Sequence, residues 1–242
     1  MEASRNRASV SPVKLLLFAA LWVCQSMGGH ALAADASEIW PELSAFIGLR
    51  PSTRVFLDAA VAKGQESDQA LLDATAALDI SLKPILRPEL HEEDWQRSRY
   101  LWARVGYTRS SSVAEVGQKS LSENRGIVAV YGRIPLPAEV WLETRGRADL
   151  RWIGDDYSTR YRFRVEANRE FIVKEHPVLP YFNVEWFYDT RYSDWSRILY
   201  QAGTEVTVNT IFRYEIYLAW QADRLPEVKS LNALGVVAKF YF

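Results

Sequence analysis

Charged side chains at alternate positions between Val140 and Phe171 are the densest chemistry in the chain. Glu143, Arg145, Arg147, Asp149 and Arg151 share one parity with Trp141 in VWLETRGRADLRW. After a polar break at Ile153-Gly154-Asp155-Asp156-Tyr157, Arg160, Arg162, Arg164 and Glu166 share one parity in STRYRFRVEANREF. Further on, Glu185, Arg197, Glu205, Arg213 and Glu215 stand opposite apolar neighbours in the same way. Two kinds of chemistry suit such a set if it is enclosed. Guanidinium and carboxylate groups on adjacent strands can form a structural network, because a buried charge without a partner is costly. Alternatively, the arginine excess can line a narrow pore that favours a small anionic solute. The network is the preferred reading, since arginines inside a small barrel serve as filler as readily as filter.

Other chemistry is poorly served. Nucleophilic hydrolysis wants a serine held by a histidine that a third group orients. Beyond the first 33 residues the only histidines are His91 and His176. His176 sits in Lys174-Glu175-His176-Pro177 and reads as a turn residue. His91 opens the cluster His91-Glu92-Glu93-Asp94, whose carboxylates could attract a hard cation. The spacing matches no calcium loop, so a solvated connection is the better reading. Gly-rich phosphate loops, paired catalytic carboxylates and zinc spacings are missing from the sequence. An enzyme, a cofactor and a metal are therefore not expected; a lipid-modifying outer-membrane enzyme and a non-conducting scaffold or assembly partner are the rival readings. With 29 Lys and Arg against 30 Asp and Glu and no basic block, nucleic acid is not an expected partner.

The elements that must position these charges are strands. Alternation of polar and apolar residues has the period of a β-strand, whose side chains point to opposite faces. The pattern marks Ile39–Leu49, Thr53–Ala62, Gln69–Lys83, Arg99–Tyr107, Asn124–Ile134, the two arms of the Val140–Phe171 hairpin, Tyr181–Asp189, Trp195–Val206, Phe212–Gln221 and Asn232–Phe242. Thr108–Leu121 is the longest polar connection, and Pro84–Gln96 interrupts the pattern. The N-terminus reads as a secretory leader: Arg5, Arg7 and Lys14 precede the apolar run Leu15–Val23, and Ala31-Leu32-Ala33 offers a cleavage site after Ala33. Cys24, the sole cysteine, leaves with it, and Trp22 and Val23 before it are too bulky for lipid attachment.

Export, strands of about 9–13 residues, the need to remove sheet edges by closure and a helix-free mature chain point to one architecture. It is an all-β, transmembrane, antiparallel up-and-down β-barrel of ten to twelve strands over residues 34–242, in the cell outer membrane. Eleven strands can be marked directly, but single-chain bacterial barrels ordinarily have an even number. Twelve is preferred, with Pro84–Gln96 as the place for another strand. Trp141, Trp152, Phe171, Tyr188, Trp195 and Trp220 lie near strand ends, where aromatic rings suit the lipid interface.

The chain ends on Phe242 with Phe240, Ala238, Val236 and Leu234 at alternate positions before it. This resembles the C-terminal signal that barrel-assembly machinery reads in bacterial outer-membrane proteins. That resemblance makes Phe240 and Phe242 the assembly signal, with the machinery and outer-membrane lipid as partners. Ile39-Trp40-Pro41-Glu42-Leu43, Leu86-Arg87-Pro88, Leu150-Arg151-Trp152, Glu185-Trp186-Phe187-Tyr188-Asp189, Tyr200-Gln201-Ala202-Gly203 and Asn232-Ala233-Leu234-Gly235 carry a further likeness. Through them nearly all of the mature chain resembles a bacterial family of predicted outer-membrane barrels known only as a domain of unknown function. The resemblance implies the barrel and its location, and no activity.

Overall fold

The protein is described by a computed structural model over residues 36–63, 70–112, 122–225 and 229–242. The expected leader and its cleavage after Ala33 lie outside the described residues, as do residues 64–69 and 113–121. The chain forms β1 (Ala36–Arg50), β2 (Thr53–Lys63), β3 (Ala70–Leu82), α1 (Glu92–Ser98), β4 (Leu101–Ser112), β5 (Ser122–Pro135) and β6 (Val140–Ile153). It continues as β7 (Asp156–Arg169), β8 (Phe171–Val173), β9 (His176–Asp189), β10 (Asp194–Thr207), β11 (Phe212–Asp223) and β12 (Lys229–Tyr241). The hydrogen-bonded sheet closes on itself as an all-β barrel. Eleven strands make the ring, and the short β8 pairs only with β9, outside it.

The twelfth strand is therefore β8 rather than a segment of Pro84–Gln96, which instead holds part of α1. The acidic cluster explains the difference. Glu92, Glu93 and Asp94 fill the first helical turn and Arg97 the last, so the charges complement the helix dipole at both ends. Because β4 runs on to Ser112, the longest connection is 83–100 and not Thr108–Leu121.

The closure also departs from an all-antiparallel barrel. In an up-and-down ring of eleven strands the first and last must run the same way. β1 accordingly pairs β12 in parallel from Ala36↔Leu231 to Phe46↔Tyr241, while every other neighbouring pair is antiparallel. One mouth of the barrel carries the 51–52, 83–100, 136–139 and 208–211 connections together with Phe242. The other carries the 154–155 and 190–193 turns and the start of β1.

Local chemistry sets the hairpin registers. The β6–β7 turn is only Gly154-Asp155, with φ +62° at Gly154 alone. A positive φ at the first turn residue matches the twist of the flanking strands and is what glycine supplies. Gly203 and Gly235 have a different task. They stand directly opposite Tyr217 from β10 and β12, and a Cβ on Gly235 would overlap the Tyr217 ring. The bare backbone lets the ring lie flat along the inner wall.

Side-chain polarity is inside out relative to a soluble sheet protein. Leu218 is 66% exposed and Val105 53%, and Leu78, Ile80, Val128, Val130, Tyr161, Phe163 and Ile216 are exposed on the same outer face. Asp79, Asp149, Glu185 and Asp189 point inward, their side chains no more than 2% exposed. Phe56, Trp102, Ala129, Tyr131, Phe187, Leu199 and Tyr217 share the interior with them.

Candidate functional site

Every charged residue singled out in the sequence lies on the inward parity of its strand: Glu143, Arg145, Arg147, Asp149 and Arg151 on β6, Arg160, Arg162, Arg164 and Glu166 on β7, Glu185 on β9, Arg197 and Glu205 on β10, Arg213 and Glu215 on β11. The expected pairing of opposite charges directly across the strands occurs on the central hairpin at Asp149 and Arg160 but not at the three positions beyond them. The Gly154-Asp155 turn sets Glu143 opposite Glu166, Arg145 opposite Arg164 and Arg147 opposite Arg162. Like charges face each other, an arrangement that is destabilising unless compensated.

The compensation comes from the third strand. Glu185 on β9 accepts from Arg145 Nη2 (2.5 Å) and from Arg162 Nε and Nη2 (2.7 and 3.1 Å). One carboxylate thus holds two guanidiniums from two other strands. Along β6 itself, Arg147 Nε donates to Asp149 (2.5 Å), while Arg162 approaches Asp149 at 3.7 Å. Arg164 reaches diagonally to Glu143 (3.4 Å) and lies 3.8 Å from Glu166.

Toward the mouth that holds the 154–155 turn the network widens into a belt. Asp189 receives Arg151 (2.9 Å) and Arg160 (3.0 Å), with Arg191 at 3.6 Å. Arg151 also donates to both Glu123 oxygens (2.5 and 3.0 Å). Arg125 bridges Glu123 (3.3 Å) and Asp73 (2.6 Å) and bonds Ser110. The belt therefore ties β3, β4, β5, β6, β7 and β9 together from inside. Charge-assisted bonds of this kind are the strong ones.

Further clusters lie on β10–β12 and on β1–β4. Arg197 pairs with Asp223 (2.5 Å). Lys239 joins Glu205 (2.7 Å) and Glu215 (2.5 Å); Arg213 completes the set on Glu205 (3.0 Å), and Tyr181 bonds Glu215. Arg54 and Arg104 share Asp79, and the Arg104 guanidinium lies 3.6 Å from the centroid of the Phe56 ring. Ser44 donates to Asp58 (2.7 Å) and touches Glu42 (3.2 Å). Aromatic planes occupy the space between, including Trp102 stacked on Tyr131 at 4.6 Å.

Eleven further charges of this interior stand outside the candidate set: Glu42, Arg54, Asp58, Asp73, Asp79, Arg104, Glu123, Arg125, Asp189, Asp223 and Lys239. Their inward parity was available from the same alternation. On β1–β5 the charges are diluted among Ala, Ser and Thr, so no single strand is conspicuous. Trp141 needs correction as an interfacial residue. It points into the mouth, 5.8 Å from Tyr100, with the Arg133 guanidinium 4.7 Å from its ring. Phe240 and Phe242 stack at 6.5 Å on the outer face, and Phe212 packs on Phe240 at 5.2 Å.

His91 stands before the first turn of α1, and His176 Nδ1 lies 3.2 Å from the Thr207 carbonyl; both are exposed. Among the described residues no three His, Cys, Asp or Glu side chains converge as metal ligands. What the enclosed arrangement can do is hold fixed charge in a lattice of mutual bonds. Compared with known proteins, the chain matches no family model, no curated protein and no solved structure.

Proposed function

We propose that this chain is an exported, integral outer-membrane β-barrel whose lumen is closed by its ion-pair network, so that it serves as a non-conducting barrel. The observation that carries this reading is the polarity of the wall. Large apolar side chains are exposed around the outside while carboxylates and guanidiniums are enclosed. Soluble monomers rarely expose contiguous apolar patches beyond a few hundred Å², whereas a transmembrane barrel needs such a band on its lipid face. Closure of the lumen is supported by the near-zero exposure of Asp79, Asp149, Glu185 and Asp189. Water occupying an open pore would reach them. The resemblance to bacterial outer-membrane barrels and the leader-like N-terminus agree with the same location.

Leu218 lies near mid-height on β11 and faces outward. In lipid vesicles Leu218→Arg should cost about 2–4 kcal/mol, the depth-dependent penalty for a cation on the lipid face, read from urea titrations of heat-modifiable gel migration. A mature protein that stays in solution without detergent, and is indifferent to this change, would rule the membrane reading out. In planar bilayers the wild-type protein should show no steady ohmic current. A current that falls when Arg145 and Arg162 become Ala would replace the closed lumen by an anion-selective pore.

A further inference from the structure

The 83–100 connection brings an arginine to the mouth of the barrel that the ion-pair network does not employ. α1 is tied to the inward-facing side of β3 by Ser81 Oγ, which donates to the Gln96 carbonyl (3.4 Å). The helix ends at Arg99, whose N–H returns to the Trp95 carbonyl (3.1 Å) in a left-handed conformation, φ +48°. A non-glycine residue adopts that conformation at a cost. Arg99 lines a cavity of about 300 Å³ with Phe46, Arg54, Thr210, Tyr241 and Phe242. Its floor is the stacked pair Phe46 and Tyr241, 4.8 Å apart, with Arg54 positioned 4.4 Å from the Phe46 centroid.

Asp79 is the carboxylate whose charge reaches Arg99, and both Asp79 oxygens are engaged by other guanidiniums. Arg104 donates to Oδ1 and Oδ2 (2.6 and 3.0 Å) and Arg54 to Oδ2 (2.8 Å). Among the described residues Arg99 makes no ion pair with any carboxylate. Burial first, and then the neighbouring Arg54 charge, lower the Arg99 pKa from its ordinary value. Two guanidiniums, Arg54 and Arg99, line this cavity together with Thr210, over an aromatic floor. A carboxylate satisfies a single fork, whereas a tetrahedral phosphate has acceptor oxygens for several. We propose that this mouth binds the phosphate group of an anionic ligand, held by Arg54 and Arg99.

The group could come from a free phosphate ester or from a lipid headgroup, and the test separates them. Mature protein refolded in zwitterionic detergent is titrated calorimetrically with inorganic phosphate. The titration is repeated in phosphatidylcholine vesicles with and without phosphatidylglycerol. Arg99→Gln should weaken phosphate about tenfold or more, the loss expected for a charge-assisted contact. Arg99→Lys should retain part of the affinity. Arg97→Gln, on the exposed turn of α1 beside Glu93, should bind as wild type. Arg99 lies outside the strands, and unchanged gel migration of the variants will show that the barrel remains folded. Phosphate binding indifferent to phosphatidylglycerol supports a free ester. Binding that phosphatidylglycerol blocks in the wild type supports a headgroup. Absence of phosphate binding in all three settings, or equal affinity in wild type and Arg99→Gln, overturns the site.

Discussion

Glu185→Gln should lower the stability of the folded barrel by about 3–5 kcal/mol, the cost of breaking a buried ion pair by removing one partner. The substitution keeps the shape of the side chain and removes its charge. Arg145 and Arg162 would then remain enclosed on strands where their direct neighbours are other arginines: Arg164 stands opposite Arg145, and Arg147 opposite Arg162. No other carboxylate approaches Arg145 within 4 Å among the described residues. The measurement is a urea titration in lipid vesicles followed by gel migration and tryptophan fluorescence. Glu93→Gln is the reference, because the Glu93–Arg97 pair is largely exposed on α1 and such pairs contribute at most about 1 kcal/mol. Similar losses for the two variants would mean that water reaches Glu185 and that the lumen is not closed.

Gly235→Ala should be the most damaging single-methyl addition that a second substitution can relieve. Its Cβ would fall within the Tyr217 ring, against Cζ, so the ring must move for the methyl to fit. Overpacking of this kind costs about 1–3 kcal/mol, occasionally more. Removing the ring removes the conflict. The double variant Gly235→Ala with Tyr217→Ala should therefore be no less stable than Tyr217→Ala alone, a coupling that contacting residues show and distant ones do not. Gly106→Ala provides the contrast. There the added methyl meets the Ala76 carbonyl oxygen at 2.7 Å and the Ala77 backbone at 2.8 Å, so no side-chain truncation relieves it. Additive losses at Gly235 and Tyr217 would show that the ring does not lie over the glycine.

Much of this interior was legible one strand at a time. The alternation in β3 separates Asp73, Thr75, Ala77, Asp79 and Ser81 from Leu72, Ala74, Ala76, Leu78 and Ile80, and the structure keeps every one of them on the expected side. The same is true of the arginines on β6 and β7. What could not be read was which charge meets which. Arg145 finds Glu185 across an intervening strand, 40 residues away in the chain. That contact depends on the offset between β7 and β9, which places Arg164 opposite Glu185. Residues 84–96 differ for a related reason: a short helix marked by acids in its first turn has no period of two.

Face and strand are local properties, because a side chain's direction alternates with every peptide whatever the rest of the chain does. Strand content and the membership of each wall are therefore written into the local pattern of residues. The parallel closure of β1 on β12, the ring of eleven, the like charges facing across the β6–β7 hairpin and the placement of Arg99 at the mouth emerge only when the strands are assembled. Each of these depends on register and closure, which are set by contacts between residues far apart in the chain and carry no short-range periodic signature.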